Sequence, residues 1–277
     1  MYYSPIKMKE LLNKHGFNLK KMYGQNFIID ENIITNIINA ANIDKETLVI
    51  EIGPGAGSLT YKLSEKAKNV ICYEIDTTLK EVLNETLKEK ENVEIIYQDF
   101  LKANILEQIK KYEYKKLYVV ANLPYYITTP IIIKIIEDNI KVDKMVVMVQ
   151  KEVGDRFKAT PGSKDYSSLS VFLNYYFDVK KLLDISKNVF LPKPNVDSSV
   201  IILSKRESNI KVKDVKYLDE FLKNCFKFKR KNLRNNLKGY DLNKINNILN
   251  KYGYDLSSRA ENISIDIFVE IVNELLG

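Results

Sequence analysis

The stretch Thr47-Leu48-Val49-Ile50-Glu51-Ile52-Gly53-Pro54-Gly55-Ala56-Gly57 decides the fold. Its first six residues are mostly apolar and rich in β-branched side chains, a run of strand length. Alternating glycines then open a turn, and Leu59 and Leu63 begin a helical spacing. Strand, glycine-rich turn and helix make the first half of a nucleotide-binding βαβ unit. The next apolar run, from Asn69, ends in acid. It places Glu74 21 positions after Gly53, near the roughly 20-residue offset at which a carboxylate meets a ribose.

The glycine pattern separates ligand classes. It reads G-x-G-x-G, not the G-x-G-x-x-G of dinucleotide sites, and no Lys-Ser/Thr pair follows as in a P-loop. A third strand from Val93 closes on Asp99, and a fourth closes on Asn122. Acid and amide groups therefore stand at the carboxyl ends of successive strands, where open α/β sheets bind ligands. S-adenosyl-L-methionine suits that array, with a ribose, an adenine and an amino-acid tail but no pyrophosphate.

At the fourth strand end lies Asn122-Leu123-Pro124-Tyr125. Asn122 offers an amide oxygen, Leu123 a carbonyl ahead of a residue without N–H, and Tyr125 an aromatic face. Two acceptors and a ring suit a planar exocyclic amine. Alone, the tetrapeptide reads as strand-to-turn punctuation; the upstream array reverses that and argues for chemistry.

Working outward, Asp30 is placed to cap a helix whose Ile33, Ile34, Ile37, Ile38 and Ala41 share one face. Strand and helix patterns alternate to a fifth strand ending near Gln150, which argues a parallel, doubly wound sheet. Two later runs, Asp178 to Ile185 and Ser198 to Lys205, are expected as an antiparallel edge, with a Pro-rich turn between. Lys205 to Lys216 reads as a linker, and only helical patterns follow, with Gly239 and Gly253 as breaks. The expected division is a Rossmann-like α/β domain over 1–205 and a small all-α domain over 206–277.

The chain has 277 residues, a net charge of +7, 45% hydrophobic and 29% charged residues. Residues 1–21 and 206–277 each carry +4, which leaves the middle near neutral. The densest basic piece, Lys223 to Lys238, holds seven cations and no acid, with Phe226 and Phe228 interleaved. A solvated helix face would mix signs, so this piece is expected to hold nucleic acid. Cys72 and Cys225 are the only cysteines and lie far apart, which fits a reducing compartment. The one histidine, His15, precedes the first expected helix and receives no catalytic role; no metal site is expected. No apolar run approaches the ~18 residues of a membrane span, and Met1 to Lys14 lacks the apolar core of a signal peptide. A cytoplasmic monomer without membrane contact is the expectation.

The chain resembles the ribosomal RNA adenine dimethyltransferases, which dimethylate two adjacent adenines in small-subunit rRNA. The resemblance runs nearly end to end. It rests on Tyr23-Gly24-Gln25-Asn26-Phe27, Glu51-Ile52-Gly53-Pro54-Gly55, Asn122-Leu123-Pro124-Tyr125 and Met148-Val149-Gln150-Lys151-Glu152-Val153. Pro161-Gly162-Ser163-Lys164 and the segment Phe190-Leu191-Pro192-Lys193-Pro194-Asn195-Val196-Asp197-Ser198 extend it. The resemblance implies a class I methyltransferase fold and S-adenosyl-L-methionine contacts at Asn26, Ile28, Gly53, Gly55, Glu74, Asp99 and Asn122. It implies catalysis by Asn122, Leu123, Pro124 and Tyr125, and a target-base pocket that includes Tyr125 and Phe190. Phe190 by itself reads as a core residue closing a turn; the resemblance, which implies that the Phe190 to Ser198 segment belongs to the target-base pocket, sets the base-binding reading level with it. The family's Arg-Arg-Lys-Thr-Leu-Arg-Asn run stands here as Lys229-Arg230-Lys231-Asn232-Leu233-Arg234-Asn235. Rotatable lysine replaces a planar fork at 229. With Lys227, the cations at 229, 230, 231 and 234 are the expected RNA contacts, and the expected partner is small-subunit rRNA in an assembling subunit.

Two other readings share these residues. Large-subunit rRNA adenine methyltransferases of the macrolide-resistance type have the same fold and chemistry, but typically carry Asn-Ile-Pro-Tyr where this chain has Leu123. A non-catalytic nucleic-acid-binding factor on the same fold is the other; the intact Glu74, Asp99 and Asn122–Tyr125 set argues against it.

Overall fold

Asp30 closes the N-terminus of a helix as its side chain allows, with Oδ1 accepting the Asn32 N–H at 2.8 Å. Ile34, Ile37, Ile38 and Ala41 are buried along that helix, one stripe at helical spacing. The computed structural model describes residues 5–17, 25–207 and 210–277. Tyr23 and Gly24 lie outside them, as do residues 1–4 and 18–21 of the basic N-terminal stretch.

In chain order the first elements are α1 (Pro5–Lys14), β1 (Phe27–Ile28), α2 (Glu31–Ala41), β2 (Thr47–Ile52) and α3 (Ser58–Lys66). Then come β3 (Asn69–Tyr73), α4 (Lys80–Leu87), β4 (Val93–Ile96), α5 (Ile105–Ile109) and β5 (Lys116–Asn122). They continue with α6 (Thr128–Glu137), β6 (Lys144–Gln150), α7 (Lys151–Phe157), α8 (Ser168–Tyr176) and β7 (Phe177–Ile185). The last are β8 (Phe190–Leu191), β9 (Ser198–Lys205), α9 (Val215–Cys225), α10 (Leu233–Asn236), α11 (Leu242–Lys251) and α12 (Ile265–Leu276).

Seven strands form one sheet in the order β4-β3-β2-β5-β6-β9-β7. The β2–β3, β3–β4, β2–β5 and β5–β6 pairings are parallel, with Ile50 opposite Ile71 and Val49 opposite Tyr118. β9 joins β6 antiparallel, with Val147 opposite Ile201. The chain runs outward from β2 through β3 to β4, then returns to the other side of β2 as β5. That reversal opens a crevice at the carboxyl ends of β2 and β5, where doubly wound sheets bind ligands.

Burial explains why each run took its place. Every residue of β2 is buried, Glu51 among them, as a central strand covered on both faces requires. β7 instead alternates exposed and partly buried positions between two buried ends, as suits a strand at the sheet edge. Among the described residues one apolar cluster joins α2, α3 and central strands, and another joins Met8, Leu11 and Leu12 of α1 to Leu79, Val82 and Leu83.

The chain divides into two compact units, residues 1–154 with 180–204, and residues 155–179 with 205–277. The sequence pattern predicts a single boundary after residue 205; in the structure α8 belongs with the C-terminal helices. In the second unit Phe221 meets Phe268 edge-on at 6.4 Å, and the buried Tyr166 hydroxyl donates to the Ile263 carbonyl at 3.1 Å. The stretch expected as a linker is bound along this unit. Arg206 grips Asp266 at 3.1 and 3.2 Å, Val212 N–H donates to the Tyr175 hydroxyl, and Lys213 N–H to the Asn273 side chain. His15 follows α1 rather than preceding the first helix, and its Nε2 lies 2.7 Å from a Glu85 oxygen. No helix among the described residues is long and apolar enough to cross a membrane.

Candidate active site

A cleft opens at the carboxyl edge of the first unit's sheet. It is lined by Gly53, Gly55, Glu74, Asp99, Asn122 and the Leu123–Ile127 turn together with Asn26 and Phe27. A second recess shares Asn26, Phe27, Gly53, Gly55 and Asn122 with it and adds Ile28, Glu51 and Ala56. The structure thus brings together every residue expected at the cofactor: Asn26, Ile28, Gly53, Gly55, Glu74, Asp99 and Asn122 all line one recess or the other.

The glycine turn has physical reasons for its residue type. Gly53 and Gly55 have φ of +71° and +58°, the left-handed region that L side chains avoid. A Cβ on Gly55 would stand 3.0 Å from the Phe27 ring. With no side chain there, the Gly55 N–H reaches a Glu74 carboxylate oxygen at 3.3 Å, while the other oxygen accepts the Asp76 N–H at 2.8 Å. Glu74 is buried, and that burial pushes its carboxyl up to about 7, partly offset by the two N–H donors. Glu51, fully buried one strand over, is pushed up by burial to about 8; the Cys72 thiol donates to it at 3.6 Å.

Asn122 ends β5 with its amide nitrogen donating to the Asn26 carbonyl at 2.9 Å. The next residue ties back into the sheet through Leu123 N–H to the Met148 carbonyl, 3.1 Å. Pro124 then starts a tight turn whose bonds, from Ile127 N–H at 3.1 Å and Thr128 Oγ1 at 3.2 Å, go to the Pro124 carbonyl. Leu123's carbonyl stays outside that turn. Tyr125 is half-buried, and its hydroxyl meets the buried Ser198 hydroxyl at 2.6 Å. Burial raises the Tyr125 phenol above its usual range. Asp99 spends one oxygen capping the turn that follows it, on Leu101 N–H at 2.9 Å.

Phe190 departs from its expected place. It is 3% exposed, lies in the apolar cluster with Ile28, Ile34 and Val200, and lines neither recess. Its main chain pairs with Ile28 in the two-stranded β1–β8 ribbon. The ring therefore buttresses the Asn26–Ile28 wall from behind and offers no face to a base in this state. Tyr126, 54% exposed on the cleft wall, is an aromatic that sequence reasoning passed over. Ile75, an exposed apolar residue beside Glu74, was passed over too, while Ser198, the last residue of the Phe190–Ser198 segment, holds the Tyr125 hydroxyl. Their signals were available: Tyr126 follows Tyr125, and Ile75 follows the ribose-class acid.

In the second unit Lys227, Lys229, Arg230, Lys231 and Arg234 are all exposed, between α9 and the end of α10. Lys229 Nζ approaches the Lys164 carbonyl at 3.4 Å. Among the described residues no three His, Cys, Asp or Glu side chains gather as a metal-binding group.

Similarity to known proteins accords with this geometry. A ribosomal RNA small subunit methyltransferase A from Staphylococcus aureus (strain bovine RF122 / ET3-1) is 46% identical over 280 residues, covering 98% of this chain and 94% of the relative. The crystal structure of a dimethyladenosine transferase from Plasmodium falciparum superposes with a TM-score of 0.73 at 26% identity, covering 88% of this chain and 95% of that one. A 23S rRNA methyltransferase, ErmE, superposes at 0.72 with 24% identity, over 91% of this chain and 100% of that one, a likeness of fold alone. The sheet is that of the class I methyltransferases. Residues 16–276 match the family described as ribosomal RNA adenine dimethylase, and with that match and the Staphylococcus relative the chain belongs to this family.

Proposed function

We propose that this protein uses S-adenosyl-L-methionine to dimethylate N6 of two adjacent adenines in a hairpin loop near the 3′ end of small-subunit rRNA. The reaction would serve assembly of that subunit in the cytoplasm. One observation carries the reading: the Asn122 amide nitrogen is held by Asn26, which turns the amide oxygen away from that bond at the mouth of an acid-lined cleft.

The cleft fits the cofactor by its chemistry. Its described lining includes Glu74 and Asp99 but no lysine or arginine, so it suits a ligand with a cationic centre and no phosphate. Glu74 would accept ribose hydroxyls. The oxygen of Asp99 not spent on Leu101 would accept from the adenine amine. Gly53 and Gly55 allow close main-chain approach, and Asn26, Ile28 and Asn122 close the wall. The cofactor, when bound, supplies a methyl group activated by its sulfonium.

The chain's own residues then prepare the nucleophile. An adenine N6 lone pair is delocalised into the ring and reacts poorly. With its two hydrogens bonded to Asn122 Oδ1 and the Leu123 carbonyl, the nitrogen is held so that the lone pair points toward the methyl. Pro124 presents no N–H to compete, and Tyr125, steadied by Ser198, would stack on the base. Rate comes from orientation and electrostatic support of shifting charge. The nitrogen becomes acidic as it gains the methyl, so its proton can leave to water without a positioned base. The target base must be extruded or already unpaired to reach the cleft. The exposed cations at 227, 229, 230, 231 and 234 would hold the RNA.

Transfer of labelled methyl from S-adenosyl-L-methionine to undermethylated small ribosomal subunits tests the proposal. Incorporation by the wild-type chain, and by Asn122→Ala at a rate about 10²–10³-fold lower, is expected. Equal incorporation by both, or transfer only to large subunits, would overturn it.

A further inference from the structure

Lys227-Phe228-Lys229-Arg230-Lys231 forms a tight turn between α9 and α10. Lys231 N–H donates to the Phe228 carbonyl at 2.8 Å. One side chain clamps the turn: Asn236 Oδ1 accepts the Phe228 N–H at 3.2 Å, and its Nδ2 donates to the carbonyls of Cys225 at 2.8 Å and Phe228 at 3.3 Å. Both main-chain polar groups of Phe228 are thereby fixed. Beneath them Cys225, Leu233 and Leu237 are buried, so the turn stands on a rigid base.

The two phenylalanines of this basic run have separate fates. Phe226 packs against Tyr166 and Phe268 at ring distances of 5.9 and 6.2 Å. Phe228 is 55% exposed, and its neighbours Lys227, Lys229, Arg230 and Lys231 are exposed around it. Lys227 Nζ lies 5.7 Å from the ring centroid and leaves much of the ring open. An apolar ring on a clamped backbone, half in water, contributes little to the core. Among cations it matches a ligand that joins an anionic linkage to a flat π-surface. A duplex would satisfy the cations only, because stacked bases present no free face. An unpaired nucleotide satisfies both.

We propose that this turn is a second nucleobase-binding site, distinct from the catalytic cleft. Phe228 stacks on an unpaired base of the rRNA while Lys229, Arg230 and Lys231 hold the flanking phosphates, and Asn236 preforms the turn. The inference rests on the reading above that the basic segment holds RNA. It adds that one contact there is aromatic and selects single-stranded structure.

The test measures binding of the full-length protein to undermethylated small subunits, and to a short single-stranded oligoadenylate carrying 2-aminopurine, over a range of salt. Phe228→Leu should bind about tenfold more weakly, the loss typical of one stacked base, with an unchanged salt slope and without 2-aminopurine quenching. Phe228→Tyr should restore affinity and quenching. Unchanged affinity and quenching in Phe228→Leu would overturn the stacking site. The RNA reading itself is judged separately by neutralising Lys229, Arg230, Lys231 and Arg234. A lowered salt slope in that variant, with Phe228→Leu like wild type, would sink the second site alone; an unchanged slope would sink both.

Discussion

The amide nitrogen of Asn122 donates to the main-chain carbonyl of Asn26 at 2.9 Å, joining the end of β5 to the residue that enters β1. An asparagine amide can flip; this bond sets which way it faces. The same bond places the amide oxygen as the acceptor that the proposed chemistry needs, and it closes one wall of the cleft.

Asn122→Ala should therefore lose turnover far more than RNA affinity. Loss of one preorganised hydrogen-bonding group at a reacting centre lowers kcat by about 10²–10³-fold. Single-turnover methylation beside equilibrium RNA binding checks this. A folded variant with near wild-type rate would contradict the assignment.

Cofactor affinity should depend on pH through Glu74. Burial raises its carboxyl to about 7, so the cleft without ligand holds a partly protonated acid near neutrality. Ribose hydroxyls donate best to the ionised form. Affinity should accordingly rise as pH climbs through about 7 and level off above it. Glu74→Gln should bind more weakly by roughly 1.5–3 kcal/mol and lose the pH dependence. Calorimetry with S-adenosyl-L-methionine across that range reads both effects; an unchanged pH profile in the variant would refute the role.

Glu51 affects stability in the opposite sense to a salt-bridged acid. Its folded carboxyl sits at about 8 against an ordinary value of 4.5. Between those values the folded state keeps a proton that the unfolded chain has released, so stability falls as pH rises through the window and levels off above it. The slope is about 1.4 kcal/mol per pH unit for one such group. Glu51→Gln should flatten this loss and be the more stable form in mild alkali. Urea unfolding at about pH 5 and about pH 8 measures it, and identical slopes in both proteins would argue against a neutral buried Glu51.

Tyr125 separates ring from hydroxyl. Tyr125→Phe gives up the 2.6 Å bond to Ser198, a loss of roughly 0.5–1.5 kcal/mol, but keeps the stacking face. It should retain most activity, and Ser198→Ala should behave alike. Tyr125→Ala should lose activity with a raised KM for RNA. If the phenylalanine variant were as impaired as the alanine one, stacking would not be the residue's main role.

Local signals were legible in the sequence and tertiary ones were not. Asp30 announced its helix because a cap acts within three residues. Glu74, Asp99 and Asn122 could be read because strands in a doubly wound sheet deliver their ends to one edge. Phe190 could not be placed: it is buried in a cluster that includes its strand partner Ile28, 162 residues earlier, and nothing nearby shows which elements will cover it. The boundary between units was hidden for a similar reason. Nothing local in residues 155–179 tells which unit they join, yet Phe172, Tyr175 and Tyr176 of α8 meet edge-to-face within the second unit. Phe226 and Phe228 looked alike in the basic run, and only packing separated them.

Salt dependence tests the basic segment as a whole. Each phosphate neutralised by the protein adds about −0.7 to −0.9 to the log–log slope of affinity against salt. Neutralising Lys229, Arg230, Lys231 and Arg234 should make the slope shallower by about that amount for every phosphate the variant no longer holds. An unaltered slope would move the RNA elsewhere on the protein.

The central claim is most directly tested by mass spectrometry of digested rRNA after reaction of undermethylated ribosomal subunits with the protein and S-adenosyl-L-methionine. The account predicts N6,N6-dimethyladenosine at two neighbouring adenines of a loop near the 3′ end of the small-subunit rRNA, and none in the large-subunit rRNA. Methyl groups on large-subunit adenines alone, or no methylated adenine at all, would contradict it.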